Sequence, residues 1–125
     1  MSAKLELDTS QAGLRLVLKD WQEEAMRSLW ENPQQGCTSR AVWDRVNQRM
    51  NPATISRASI INFIEDMASM GVLNKTEITG KGGYRGVYSL RMDKSEFKKF
   101  VARAAIEALM RSFPEETRQI IKRIG

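Results

Sequence analysis

Apolar and polar positions follow two different spacings along the chain. Residues 4–18 contain two short alternating runs, 4–7 and 14–18, on either side of the polar stretch 8–13. Strict alternation is typical of a half-buried strand, so we predict a β-hairpin or a single edge strand in this segment. Beyond residue 19 the apolar positions recur at helical spacing instead.

Two helices are predicted in the stretch that follows. The first should begin after Asp20, which can cap it, and should end in the loop 32–36. The second should begin at Thr38 or Ser39, because either hydroxyl can cap a helix. It should stop before Pro52, since proline disfavours helical geometry in the residue that precedes it.

A third helix is predicted from residue 56 to residue 70. Its apolar side chains lie at the i, i+3, i+4, i+7 spacing of a single buried face. Gly71 is the expected left-handed residue just past the helix end. The predicted inward face consists of Ile60, Phe63, Ile64 and Met67.

Strands and further helices are predicted in the remaining sequence. Two short strands, 72–79 and 84–90, are joined by residues 80–83, where three glycines indicate a turn with positive φ. A fourth helix should begin after Asp93 or Ser95, and the following loop leads to a last helix with Pro114 at its first position.

The order of these elements predicts the fold class. Three helices, a strand, a glycine-rich turn and a second strand follow one another as in a winged helix-turn-helix. We therefore predict an α+β fold, mainly α, in which a winged helix-turn-helix is followed by C-terminal dimerisation helices.

Composition excludes several kinds of functional site. The chain has 125 residues, no histidine and a single cysteine, Cys37. We therefore expect no disulfide, no cysteine cluster for zinc and no histidine acting as a general base. The adjacent carboxylates of Glu65 with Asp66, and of Glu115 with Glu116, diverge by about 100° on a helix and do not share a site. The sequence thus predicts no enzyme, no cofactor and no metal.

Two absences bear on the compartment. The chain has no run of about 18 apolar residues, so we predict no membrane partner. Its first residues, MSAKLELDTSQ, lack the apolar core of a signal peptide. We therefore expect a cytoplasmic protein.

Positive charge is concentrated in the second half of the chain. The net charge is +5, yet residues 1–52 carry 7 basic and 7 acidic side chains, whereas residues 93–125 carry 8 basic and 5 acidic ones. The excess therefore lies beside the elements that could contact a polyanion.

The outer face of the third predicted helix carries side chains that suit base edges in a DNA major groove. Arg57 can donate two hydrogen bonds to guanine, Asn62 can pair with adenine, and Ile61 can contact a thymine methyl group. A plain solvated helix face, capped by Ser56, is the alternative. We predict contacts with double-stranded DNA from Ser56, Arg57, Ala58, Ser59, Ile61 and Asn62.

The glycine-rich turn is the second predicted DNA contact, as a wing over residues 79–86. Lys81, Tyr84 and Arg85 lie at the predicted hairpin tip, where they can reach phosphates or a neighbouring minor groove. A flexible hairpin with solubilising charges is the alternative interpretation.

The C-terminal helices are predicted to pair two copies of the chain. Their apolar stripe is too wide for a helix that packs on one side only, although packing back onto the first helix and the N-terminal strand is the alternative. A two-fold dimer places its two third helices about 34 Å apart and predicts a palindromic operator. The predicted dimerisation residues are Phe97, Phe100, Val101, Ala104, Ile106, Ala108, Leu109, Met110, Phe113, Ile120, Ile121 and Ile124.

The chain resembles the penicillinase-repressor family of winged-helix regulators and, more loosely, the MarR-type regulators. The resemblance rests on residues 21–30, which end in Leu-Trp, and on 56–64, 70–73 and 80–88. It implies a homodimeric DNA-binding repressor with C-terminal dimerisation helices. The cysteine-rich motif of the copper-responsive members is absent. The Asn-Phe bond here, between Asn62 and Phe63, lies inside the third predicted helix and not in a cleavable linker.

These observations divide the chain into two functional parts. Residues 1–92 are predicted to form a winged-helix DNA-binding domain, with 1–18 as an N-terminal β extension, and 93–125 a helical dimerisation region. The predicted function is a sequence-specific DNA-binding transcriptional regulator, a homodimeric repressor. A winged-helix protein–protein interaction module in a nucleic-acid-associated complex is the alternative. The sequence identifies no small-molecule effector.

Overall fold

The computed structural model describes residues 4–33, 36–80 and 83–125. These residues form an α+β structure that is mainly helical, with a small antiparallel sheet, which confirms the predicted α+β, mainly helical class. No helix within these ranges is both long and apolar enough to cross a membrane. The α-helices are α1 (Asp20–Trp30), α2 (Ser39–Met50), α3 (Arg57–Ser69), α4 (Lys94–Ser112) and α5 (Pro114–Ile124), and the strands are β1 (Cys37–Thr38), β2 (Leu73–Gly80) and β3 (Gly83–Leu90).

Side-chain caps determine where the helices begin. The Ala41 amide donates a hydrogen bond to the Thr38 hydroxyl at 3.2 Å, and the Ser59 amide donates one to the Ser56 hydroxyl at 3.1 Å. Asp93 caps α4 in the same way. Each cap satisfies an amide that has no partner inside the helix and contributes about 1 kcal/mol. The predicted starts of these three helices are confirmed.

The start of α1 differs from the prediction. Asp20 is the first helical residue, and Lys19 occupies the capping position. The Lys19 amide donates a hydrogen bond to the side-chain oxygen of Gln22 at 2.9 Å. The side chain of Gln22, at the third position of the helix, therefore makes the bond back to the capping residue that is part of a capping box. The prediction that Asp20 is the cap is wrong.

Residues 4–18 do not form the predicted β extension. This segment contains no strand; it contains a 3-10 helix, Gly13–Leu16, preceded by a turn. The Asp8 amide donates a hydrogen bond to the Leu16 carbonyl at 2.7 Å, which ties the two halves of the segment together. Leu18 is buried in the core, whereas Leu14 and Val17 pack only on its edge. The apolar residues of 14–18 therefore belong to a short helical turn and the residues just after it, and Leu18 is the one that is buried in the core.

The core lies where α1, α2 and α3 meet the base of the hairpin formed by β2 and β3. The predicted inward stripe of α3 is buried as a whole, which confirms that face. Gly71, with φ of 82°, lies just past the helix end and turns the chain into the hairpin. The buried apolar side chains are Leu18, Ala25, Met26, Leu29, Cys37, Val42, Val46, Ile60, Phe63, Ile64, Met67, Val72, Leu73, Tyr88 and Phe97.

Phe97 belongs to the core of its own chain. Its exposure is 0%, and its ring lies 5.9 Å from the ring of Trp30 and 6.4 Å from the ring of Phe100, centroid to centroid. The assignment of Phe97 to a dimer interface is therefore corrected, because a fully buried ring offers no surface to a second copy. Phe97 anchors the first turn of α4 to α1.

The hairpin extends well beyond the body of the protein. In the antiparallel register, Leu73 pairs with Leu90 at one end and Gly80 with Gly83 at the other. β1 pairs with β3 only at Val87 and Tyr88. Eight residues per strand span about 25 Å, and residues 74–79 are exposed, so the distal half of the hairpin projects into solvent. The two predicted strands are confirmed.

A carboxylate on α3 orients the hairpin. One Glu65 oxygen accepts hydrogen bonds from the Lys75 ammonium at 2.6 Å and from the Tyr88 hydroxyl at 2.5 Å. The Lys75 hydrogen bond, followed by that of Tyr88, lowers the pKa of Glu65 below its ordinary value. Burial of the ring, followed by the bond to Glu65, raises the pKa of Tyr88. Both strands are thereby joined to α3 through one side chain.

We expect Glu65→Gln to lower the free energy of unfolding by about 1 kcal/mol at pH 7, because the pair is partly exposed and screened. The lowered pKa means that the ionised Glu65 stabilises the fold above its ordinary pKa of 4.5, and that this contribution is lost as the pH falls through the lowered value. Urea unfolding from pH 7 to pH 3 should therefore show the wild type and the variant converging at low pH.

The matched control is Asp66→Asn, since the exposed carboxylate of Asp66 forms no ion pair with a described residue. This control should follow the wild-type pH dependence. A wild-type advantage over Glu65→Gln that stays constant down to pH 3 would contradict the role of the ionised carboxylate.

Candidate nucleic-acid interface

The outer face of α3 lies at the surface of the molecule. Four of the six predicted contact residues are exposed: Ser56, Arg57, Ala58 and Asn62. Ser59 and Ile61 are half-buried. Helical spacing places Ala58, Ile61 and Asn62 on the side of α3 opposite its buried stripe, whereas Ser56, Arg57 and Ser59 lie at the first turn, along the edges of that stripe. Nothing in the described parts of the chain covers Arg57 or Asn62, which a role in contacting bases requires.

Arg57 leans from the start of α3 toward α2. Its guanidinium carbon lies 6.0 Å from the centre of the Trp43 ring, and one of its nitrogens is 3.5 Å from the Ser39 hydroxyl. Exposed cation–π contacts of this kind contribute about 0.5–1 kcal/mol, which is enough to bias the side chain without holding it. Arg57 therefore spans the junction between the two helices and remains free to rotate toward a ligand.

The arginines that form ion pairs in the described structure lie away from the outer face of α3. Arg15, Arg27 and Arg49 form ion pairs with acidic residues of α1 and the loop after it. Arg57 has no acidic partner among the described residues. No carboxylate of the described residues therefore pairs with its charge, and an anion or a guanine edge can accept its hydrogen bonds.

The turn between α2 and α3 is held by Asn47. Its side-chain oxygen accepts a hydrogen bond from the Ile55 amide at 2.7 Å, and its nitrogen donates to the Ile55 carbonyl at 3.2 Å and to the Trp43 carbonyl at 2.9 Å. The Trp43 indole also donates to the Ile55 carbonyl, at 2.8 Å. These bonds fix the backbone immediately before the Ser56 cap and so set the direction of α3.

Sequence reasoning missed both Asn47 and this role of Trp43. Asparagine is a weak helix former, and its position near the end of a predicted helix was the available signal. Trp43 is half-buried, and its indole nitrogen donates a hydrogen bond to the turn.

The predicted wing residues are only partly described. Lys81 lies outside the described residues, and so do the side chains of Tyr84 and Arg85. The backbone places Tyr84 opposite Thr79 and Arg85 opposite Ile78, next to the distal end of the hairpin. Their position near the tip therefore agrees with the prediction, while their contacts remain predictions from the sequence.

The remaining predicted dimerisation residues fall on two opposite sides of α4. Phe100 and Val101 pack against the core, and Ala104 and Ala108 continue the same side toward residues 4–7. The other set lies across the helix and continues onto α5, and we call it the outer apolar face. It comprises Ile106, Leu109, Met110, Phe113, Ile120, Ile121 and Ile124, which are exposed except for the half-buried Met110.

α5 is attached to the C-terminal end of α4. Pro114 occupies its first turn, where the missing amide costs little. The Thr117 hydroxyl donates a hydrogen bond to the Leu109 carbonyl at 3.2 Å, and the Thr117 side chain is buried in this contact. Phe113 and Ile124 remain 59% and 81% exposed, so contact between the two helices leaves the outer apolar face uncovered.

Comparison with protein-family models, with curated proteins and with solved structures finds no match for this chain. The resemblance to the penicillinase-repressor family therefore stays a prediction from the sequence motifs.

Asn47→Ala should lower the free energy of unfolding by about 1–3 kcal/mol, because it leaves the half-buried Ile55 amide without its partner. Urea denaturation measures this loss. The exposed neighbour Gln48 provides the control, and Gln48→Ala should change stability by less than about 0.5 kcal/mol. Equal effects of the two substitutions would show that Asn47 does not hold the turn.

Proposed function

We propose that this chain is a sequence-specific transcriptional regulator that binds double-stranded DNA as a winged helix and acts as a homodimeric repressor. The observation that carries the proposal is the exposed outer face of α3, on a helix whose other face is buried. The outer face carries an asparagine and an arginine that forms no ion pair with a described residue. Such a helix can enter a major groove without disturbing the core.

The residue types on this face support readout of base edges. Arg57 suits guanine and Asn62 suits adenine, and each well-formed pair discriminates against a wrong base by about 1–3 kcal/mol. Ala58 and the half-buried Ile61 leave space for a thymine methyl group. The Ser56 cap and the Asn47 bonds support this role, since they fix the backbone from which Arg57 extends.

The projecting hairpin supports a second contact beside the groove. Its length of about 25 Å is sufficient to reach past the body of the protein to a phosphate backbone or a minor groove. Lys81 and Arg85 would supply the positive charge there, with Tyr84 between them in the sequence. Its base is oriented by Glu65, on the same helix that we propose reads the bases.

The outer apolar face supports dimerisation. Seven large apolar side chains on α4 and α5 form it, and six of them are exposed, which is unusual for a monomer. Burial against the same face of a second copy would remove this surface from water and generate a two-fold axis. Two α3 helices about 34 Å apart would then read the two halves of a palindromic site.

Selection of bound oligonucleotides from a random pool tests the proposed function directly. We expect an enriched palindrome whose half-sites are separated by about one helical turn. An enriched pool without any common motif, at low salt and with competitor DNA present, would overturn sequence-specific binding.

Arg57→Ala should reduce affinity for the selected site by about 1–3 kcal/mol and relax the preference at one base position in each half-site. Gel-shift titration against the selected site and single-base variants measures both effects. Arg27→Ala is the matched control, because Arg27 is an exposed arginine of α1 in ion pairs with Glu23 and Glu24. An equal loss on every sequence would make Arg57 a phosphate contact and contradict base readout.

Ile106→Glu should raise the dissociation constant of the dimer at least tenfold, because it places a charge within the outer apolar face, and a tenfold change corresponds to about 1.4 kcal/mol. Sedimentation equilibrium over a concentration series measures the change. Ser95→Glu adds the same charge on an exposed position in the first turn of α4 and should leave association unchanged. A wild-type chain that stays monomeric at every concentration would contradict the dimer.

A further inference from the structure

A groove separates the N-terminal segment from α4. Its volume is about 320 Å³, at the lower end of the range of small-molecule sites, which is roughly 300–1,000 Å³. Leu5 and Leu7 form one wall. The opposite wall is the side of α4 that faces away from the outer apolar face, and Met70 lies at the end of the groove nearest α3. The α4 wall consists of Phe100, Val101, Ala104, Ala105 and Ala108.

The charges on the groove have one sign. Lys4 and Arg111 line it together with the apolar residues, and the described residues of its wall include no carboxylate. Neither Lys4 nor Arg111 forms an ion pair with a described residue. The groove therefore combines an apolar surface with two cations that form no ion pair with a described residue.

Small side chains create the space. Alanines occupy positions 104, 105 and 108, on the same side of α4 where Phe97, Phe100 and Val101 fill the core one and two turns earlier. The residues that continue the buried stripe are thus too small to reach the N-terminal segment. Leu7 is 48% exposed as a result, so an apolar occupant would remove additional surface from water.

We propose that this groove binds a small amphipathic anion, with an apolar tail between Leu5 and the alanines of α4 and a carboxylate or sulfonate group at Lys4 and Arg111. A neutral ligand would leave the cations without partners, and a cationic one would be repelled. The occupant would join residues 4–7 to α4. The site does not depend on DNA binding, and its test measures ligand binding alone.

Isothermal titration with decanoate, below its micellar concentration, tests the site on the full-length protein. We expect saturable binding of one decanoate per chain. Decyltrimethylammonium, which has the same tail and the opposite charge, should bind at least tenfold more weakly. Equal affinity for the two amphiphiles would overturn the proposal, because binding would then follow the tail alone.

Two variants locate the binding. The double variant Lys4→Gln with Arg111→Gln should weaken decanoate binding at least tenfold, whereas Arg103→Gln, which removes an exposed charge from another side of α4, should have no effect. Ala104→Leu should fill the groove and also abolish binding, with its helical content checked by circular dichroism. Unchanged affinity in either groove variant would place decanoate outside the groove and overturn the proposal.

Discussion

The burial of one face of α3 is the constraint on which the rest of the structure depends. Ile60, Phe63, Ile64 and Met67 pack into the core with α1 and α2, and this leaves only the opposite face for contacts with other molecules. Two polar contacts then refine the placement. Asn47 fixes the backbone before the helix, and Glu65 joins the hairpin to its middle. Apolar burial thus selects the face, and hydrogen bonds set its orientation.

Much of the fold could be predicted because local chemistry determined it. Thr38, Ser56 and Asp93 are of the residue types that cap helices, and each precedes a segment with apolar residues at helical spacing. Gly71 adopts the positive φ that often ends a helix. The prediction of a strand in the N-terminal segment was wrong for a local reason too. The leucines of this segment alternate as in a strand, yet Leu14 and Val17 are also three residues apart, as in one turn of a 3-10 helix, and five residues are too few for periodicity to separate the two.

The remaining differences arise from contacts between distant parts of the chain. Helical spacing indicated correctly that α4 carries a wide apolar stripe, but it could not show what covers each side of the helix. Phe97 is covered by Trp30, Ala104 faces the groove, and Ile106 faces solvent. The partners of Asn47 and Glu65 could not be predicted either, since the sequence of a helix does not show whether a polar side chain meets water or a distant group of the chain. The outer face of α3 was predictable because exposure needs no partner.

The position of β2 in the sheet has a consequence for how copies of this protein behave at high concentration. β3 is flanked by β1 and β2, so β2 is an outer strand of eight residues whose free edge is open to pairing with another polypeptide. Such edges promote aggregation when they are flat and apolar. Here Glu77 stands beside the exposed Ile78, and bringing two such strands together would require this carboxylate to lose water. The hairpin can therefore project into solvent without recruiting its neighbours into a growing sheet.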